Sequence, residues 1–228
     1  MHDETSTCCP YLDCLHPFQL PTARLGKAGT CPQCGRPASF RPLASLEQID
    51  LTYERRRQAE ALSGKTAPDL SKRSHCALLE DVRSLWNVGS IFRTADGAGI
   101  SSLFLTGITG CPPRKEIAKT SLGAEESVSW RYCRSAMEIL PGLKEAGWLI
   151  FGLECTPDSL AFKTYLASTK VRAPVCLVVG NEVNGLSAET MHLCDSICHL
   201  PMRGIKESLN VAVAFGIAAY MLADWAPL

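Results

Sequence analysis

Neither sign of charge prevails in this chain: 23 Lys and Arg balance 23 Asp and Glu. The molecule has no net field to draw in a polyanion, so any nucleic-acid site has to be a local patch. Long apolar runs are lacking too. The most apolar stretch, Leu209 to Ala223, is about 15 residues against the ~20 a bilayer requires, and it reads as a buried helix. The opening Met1 to Pro10 is acidic at Asp3 and Glu4 with no apolar run, unlike a secretory signal. These absences predict a cytoplasmic chain with no membrane span. No Gly-x-Gly-x-x-Gly follows an apolar run, which disfavours a dinucleotide held in the Rossmann manner. Ser63-Gly64-Lys65-Thr66 lacks the upstream glycine and preceding strand of a phosphate loop, and Pro68 follows closely. No internal repeat or low-complexity tract is present.

Cysteine, by contrast, is abundant, with 12 in 228 residues. Without an export signal, metal binding is a better use for them than disulfides. Residues 8–45 combine cysteines, prolines and polar turns with no sustained helical or strand period, so this stretch needs a staple. Cys9 and Cys14 form one hook, and Cys31-Pro32-Gln33-Cys34-Gly35 forms a second. Two such hooks are the ligand pattern of a tetrahedral structural zinc site. Cys8 leaves the first ligand ambiguous, and His16 is a possible substitute. Four thiolates close the metal's shell, which argues against a zinc enzyme. The chain therefore divides into a zinc-ribbon-like unit (1–45), a helix and linker (46–73) and a larger domain (74–228). On the helix, the Arg55-Arg56-Arg57 run either meets RNA phosphate or is a solvated face.

Beyond residue 74, short apolar runs alternate with helical stretches. The expected strands are 76–79, 102–105, 148–153, 175–179 and 197–200; the expected helices lie near 88–97, 135–146, 188–194 and 208–223. Such alternation predicts an α/β fold with a mainly parallel sheet and helices on both faces. Cys76, Cys155, Cys176, Cys194 and Cys198 fall in or beside these elements and read as small buried apolar residues.

Three loops then stand out. The first, Asn87-Val88-Gly89-Ser90-Ile91-Phe92-Arg93-Thr94-Ala95, offers Asn87 as a helix cap and Arg93 on the emerging helix; the plain alternative is an Arg93 ion pair with Asp96 or Glu80. The second, Gly180-Asn181-Glu182-Val183-Asn184-Gly185, holds a carboxylate between glycines at a strand end, with Ser187 as N-cap of the next helix. The third, Pro201-Met202-Arg203-Gly204-Ile205-Lys206-Glu207-Ser208-Leu209-Asn210-Val211, leads into the last helix with Ser208 as its expected cap. Each loop leaves a strand and enters a helix, so all three gather at the carboxyl edge of the sheet, where open α/β folds bind ligands.

In order and spacing these segments resemble the three motifs of the SpoU/TrmH family of RNA ribose methyltransferases, and the resemblance covers about residues 76–223. It implies a C-terminal trefoil knot that pins the second and third loops together. It also implies S-adenosylmethionine bound against Leu153, Gly180, Leu200, Met202 and Leu209. Asn87, Arg93, Glu182, Ser208 and Asn210 match the family's catalytic motif positions: the resemblance implies Asn87 and Arg93 near the reacting centre, and Glu182, Ser208 and Asn210 are expected to hold the two loops and the dimer partner in register. The implied active unit is a homodimer in which the first loop of one chain approaches the cofactor of the other. The implied substrate is RNA, transfer or ribosomal, and not DNA. A guanidinium keeps its proton at neutral pH, so Arg93 is expected to orient the ribose through a neighbouring phosphate, not to act as the base. Alternatives from the same fold are a non-catalytic RNA-binding platform and a methyltransferase acting on a base nitrogen. The segment 109–121, with Arg114, Lys115 and Lys119, reads as a long connection, either touching RNA or solvated.

Overall fold

The computed structural model describes residues 3–9, 16–40, 75–169 and 173–225, in two compact units that divide between residues 59 and 60. The helix and linker expected over 46–73, with the Arg triplet, lie outside the described residues, as does Cys14.

The first unit is built of two small antiparallel hairpins, where the sequence promised no strand period. β1 (Glu4–Cys8) pairs with β2 (Pro17–Pro21), and β3 (Ala28–Thr30) with β4 (Pro37–Ser39). Strands this short bury too little to show an alternation of apolar residues. Their core is an edge-on contact of Phe18 with Phe40, ring centres 4.9 Å apart.

In the second unit the strands are β5 (Cys76–Glu80), β6 (Ser102–Thr106), β7 (Ser129–Cys133), β8 (Leu149–Leu153), β9 (Leu160–Ala161), β10 (Val175–Val179) and β11 (Ser196–His199). The helices are α1 (Leu85–Ala98), α2 (Lys115–Ser121), α3 (Ala124–Ser127), α4 (Leu140–Glu145), α5 (Phe162–Ser168), α6 (Ala188–Leu193) and α7 (Val211–Trp225). The strands form one sheet in the order β7-β6-β5-β10-β8-β11-β9, every pair parallel. β5, β6 and β10 are buried at every position, as a central parallel strand with both faces covered has to be.

Several elements depart from the expectations. β7 and β9 were not anticipated, because Ser129-Trp130-Arg131-Tyr132-Cys133 carries a charge mid-run and β9 is only two residues long. The 109–121 segment is not one long connection: its second half is α2, which packs on α1 closely enough that a Cβ at Gly89 would lie 2.4 Å from the Ile117 carbonyl oxygen. The helix expected over 135–146 is a 3-10 turn followed by α4, and Pro141 near the start of α4 suits a new first turn. Among the cysteines, Cys76, Cys176 and Cys198 are buried, but Cys155 is exposed. No helix among the described residues is long and apolar enough to cross a membrane.

α7 is not wholly buried. Phe215, Ala218, Ala219 and Leu222 face the core, while Val213, Ile217 and Tyr220 are 51, 39 and 53% exposed. The spacing of the exposed set, four and then three residues, makes it one continuous stripe.

Candidate active site and cysteine cluster

β8, β10 and β11 end side by side, at Leu153, Val179 and His199, and the chain leaving each strand contributes to one pocket of about 440 Å³. That is the size range of small-molecule sites. Leu153, Gly180, Leu200, Met202 and Leu209 all line it, as do Glu182, Ser208 and Asn210. Asn87 and Arg93 do not.

The second loop is a tight structure closed on itself. Asn181 and Gly185 exchange backbone hydrogen bonds of 3.1 and 2.9 Å. The Asn181 side chain accepts from the amides of Val183 and Asn184 and donates to the Asp81 carbonyl at 2.8 Å. A Cβ at Gly180 would lie 2.4 Å from the backbone carbon of Gly185, so only glycine fits. Gly185 has φ +68°, and a Cβ there would meet the Glu154 carboxylate. Ser187 caps α6 as expected, and the buried Glu80 carboxylate holds that cap by accepting from its amide and hydroxyl. Glu80 is thus engaged and does not pair with Arg93. Asp96 accepts from Ser127 at 2.7 Å, and Arg93 makes no ion pair among the described residues.

Two expected caps are corrected. α1 begins at Leu85 and is capped by Ser84, whose hydroxyl accepts from the Asn87 amide; Asn87 lies inside the first turn, so its side chain is free for other contacts. α7 begins at Val211, and Asn210, not Ser208, accepts from the amides of Ala212 and Val213. Both shifts have one cause: when several Ser and Asn sit near a helix start, local sequence alone does not select among them.

The freed Asn87 side chain completes a relay with one residue from each loop. Asn210 Nδ2 donates to Asn87 Oδ1 at 3.2 Å, and Asn87 Nδ2 donates to Glu182 Oε1 at 2.8 Å. The Glu182 carboxylate also accepts from the amides of Arg83 and Ser84 at 2.9 and 3.0 Å, just ahead of α1, where negative charge complements the helix dipole. Burial alone would raise the Glu182 carboxyl, but these hydrogen bonds outweigh it and hold the group below its ordinary value. A depressed carboxyl stabilises the fold above its unfolded pKa of about 4.3, and that stabilisation disappears as pH falls through the folded value. Glu182→Gln is therefore expected to cost about 1 kcal/mol at pH 7, kept small by solvent screening. The gap to wild type should close on acidification below about pH 4, as read by denaturant midpoints across pH; a gap independent of pH would refute the charge as its source.

Sequence reasoning missed Glu154, Cys155 and His199, which also line the pocket. Glu154 accepts from the Leu186 amide at 2.9 Å, and His199 Nδ1 lies 2.9 Å from the Ser159 hydroxyl. The only available signal was the position of Glu154 and Cys155 just past the end of a strand.

In the first unit, Cys9, Cys31 and Cys34 bring their sulfurs within 4.8 Å of one another. Cys8 and His16 are not in the group. The Cys9 and Cys34 sulfurs are 3.7 Å apart, close to the ~3.8 Å set by two 2.3 Å bonds to a tetrahedral zinc. Gly35 at φ +72° closes the Cys31–Cys34 turn by donating to the Cys31 carbonyl at 3.0 Å, and the Gln33 amide points at the Cys31 sulfur at 3.4 Å. Burial raises the Cys34 thiol, but hydrogen bonds from the Arg36 backbone and guanidinium, and from Cys31 and Cys9, bring it down to about 6. At the end of α6, burial and then the neighbouring Cys176 push Cys194 up to about 12. Cys34 and Cys194 therefore differ chemically: the first favours the thiolate that a metal binds, and the second stays a protonated, mostly buried thiol.

The model of the SpoU rRNA Methylase family matches residues 74–220. Among curated proteins, the chain is 30% identical over 161 residues to the 23S rRNA (guanosine-2'-O-)-methyltransferase RlmB of Ralstonia nicotianae, covering 71% of this chain and 61% of that one. It is also 30% identical over 169 residues to the tRNA (guanosine(18)-2'-O)-methyltransferase of Thermus thermophilus, covering 74% and 81%. Among solved structures, it resembles the AdoMet-bound rRNA methyltransferase of Sinorhizobium meliloti, with a TM-score of 0.61 and 27% identity over 66% of this chain and 56% of that one. The chain thus spans less than two thirds of the RlmB relative's length and most of the tRNA enzyme's.

Proposed function

Because the chain belongs to the SpoU rRNA Methylase family, we propose that it is an S-adenosylmethionine-dependent methyltransferase acting on a ribose 2′-hydroxyl of tRNA or rRNA. The observation that carries this reading is the relay from Asn210 through Asn87 to Glu182, which joins all three loops at the rim of the pocket. A structural loop needs no such convergence of polar groups from three separate strand ends.

The pocket suits the cofactor. Leu153, Leu200, Met202 and Leu209 supply apolar contact for an adenine ring, and the glycines at 180 and 185 let backbone approach where any side chain would block it. When bound, S-adenosylmethionine supplies an electrophilic methyl group on a sulfonium centre. The chain's own residues do the rest. Glu182 and Asn210 fix Asn87, and through it the start of α1. Arg93, two turns along α1 from Trp86, holds a phosphate beside the target ribose through its planar fork of donors. With that methyl donor held in the pocket, the chain's part would be to keep the ribose 2′-hydroxyl aligned with it, the hydroxyl proton leaving to the phosphate held by Arg93 or to water. The trefoil knot over the second and third loops is part of the same reading.

The active unit in this reading is a homodimer. The exposed stripe of Val213, Ile217 and Tyr220 on α7 supports a second copy as its cover, and Arg93, which does not line the pocket of its own chain, serves the partner's. The test is transfer of labelled methyl from S-adenosylmethionine to total transfer and ribosomal RNA from a strain lacking this protein, with sedimentation of the same preparation. Alkali-resistant labelled dinucleotides from one RNA class, made by a species of twice the 24.7 kDa chain mass, are expected. Label on a base, or none, would overturn the ribose assignment, and a monomer active at all concentrations would overturn the dimer.

The first unit holds a structural zinc through Cys9, Cys31 and Cys34, with Cys14 as the fourth ligand. The donor set, the sulfur spacing and the amides turned toward sulfur support it. Protein purified from metal-replete medium should carry about one zinc per chain, and Cys31→Ser should reduce that to near zero while residues 75–225 keep their thermal transition. A wild-type protein free of zinc, or a variant that keeps it, would refute the site.

A further inference from the structure

Trp86 is half exposed, whereas Trp130 and Trp148 are each 6% exposed. Large aromatic rings are seldom left open to water without a partner, and this one directly precedes Asn87, the middle member of the relay. We propose, on the basis of the RNA-methyltransferase reading, that Trp86 is a stacking platform for an unpaired nucleobase next to the methylated ribose.

Three features favour a nucleobase over a plain apolar partner. First, the ring has a cation beside it that a phosphate can meet: Lys119 Nζ sits over it, 5.7 Å from its centroid. Second, Trp86, Ser90 and Arg93 follow one another at four and three residues, on one face of α1. Trp86 and Arg93 are therefore about 10 Å apart along the helix axis, a distance that lets one nucleotide stack while a neighbouring phosphate meets the guanidinium. The burial pattern agrees, since Trp86 and Arg93 are exposed while Val88, Gly89, Ile91, Phe92 and Ala95 between and beyond them are buried. Third, the platform is rigid. The Trp86 carbonyl accepts from the Thr120 hydroxyl at 3.1 Å, and the next residue is locked to Glu182 and Asn210. Little ordering entropy remains to be lost when a base docks. Stacking on an aromatic side chain is tolerant of base identity and depends on the ring itself.

The experiment uses the full chain with two labelled probes, a single-stranded oligoadenylate and an abasic ribose-phosphate strand of the same length. Wild type should bind the base-bearing strand more tightly, and W86A should lose roughly five- to a hundredfold in affinity for it while its affinity for the abasic strand stays put. W86F, which keeps a ring, should recover most of the loss. Tryptophan emission of the wild type should be quenched by oligoadenylate and not by the abasic strand, and W86F should lose that quench. Equal losses on both strands, no loss on either, or an undiminished quench in W86F would overturn the platform. So would a W86A protein that sediments at half the wild-type mass, because the ring would then belong to a subunit contact. Methyl transfer separates the two failures: transfer to RNA with base-independent binding sinks the platform alone, and base-dependent binding without any transfer sinks the methyltransferase reading alone.

Discussion

Arg93→Ala is expected to lower methyl transfer by two to three orders of magnitude, while calorimetric affinity for S-adenosylmethionine stays within about twofold of wild type. The two readouts separate because of where Arg93 sits. In the proposed role it meets an RNA phosphate and not the cofactor, it is absent from the pocket lining of its own chain, and it makes no ion pair among the described residues, so its removal leaves no unpaired carboxylate. Glu80 and Asp96, the partners it would have taken as a mere surface charge, are held by Ser187 and by Ser127. A positioning role makes the geometry of the side chain matter more than its charge. Arg93→Lys keeps the charge but loses the planar fork, and should still fall at least about tenfold in kcat. Near-wild-type turnover by the lysine variant would rule out bidentate orientation.

The second large effect is expected at Gly180. Alanine there puts a methyl 2.4 Å from the Gly185 carbonyl carbon and 2.6 Å from the Leu186 amide nitrogen. Both are backbone atoms, so nothing short of opening the Asn181–Gly185 closure relieves the clash. Overpacking of this kind costs ~1–3 kcal/mol, and since the closed loop is the binding-competent one, S-adenosylmethionine affinity should drop roughly ten- to hundredfold. Gly142→Ala is the matched control: a Cβ there meets nothing within 4 Å, and cofactor affinity should not change. Calorimetry on both variants decides it. Gly180→Ala binding as wild type does would mean that the loop opens freely and that the glycine is not needed for the pocket.

The central strands were legible because β5, β6 and β10 are buried on both faces and therefore read as unbroken apolar runs. The edge strands were not. β7 tolerates Arg131 and β9 has only two residues, and neither burial pattern nor length marks such a segment before its neighbour is known. Among the helices, α2 was hidden because its outer face is charged and only Ile117 and Ser121 are buried. α7 was read as wholly buried because its composition is apolar all round; which face a second copy would cover is not written in composition. At the site, seven of the eight pocket-lining positions named in advance belong to the second and third motif segments, where spacing along the chain is a fair guide to spacing in space, and the eighth, Leu153, came from its place at a strand end. Glu154, Cys155 and His199 had no such marker.

The sequence by itself determined the alternation of strand and helix, the three loops at one sheet edge, and the Cys31–Cys34 hook. These follow from local periodicity and from residue types whose chemistry is intrinsic. Tertiary structure alone decided that Ser84 and Asn210 cap their helices, that Asn87 is thereby freed to join Asn210 to Glu182, and that Cys9, not Cys8, faces Cys31 and Cys34. Each of those choices is between near-equal neighbours one to three residues apart. Local propensity differs among them by less than the ~1 kcal/mol that a single well-placed hydrogen bond contributes, so long-range contacts make the selection.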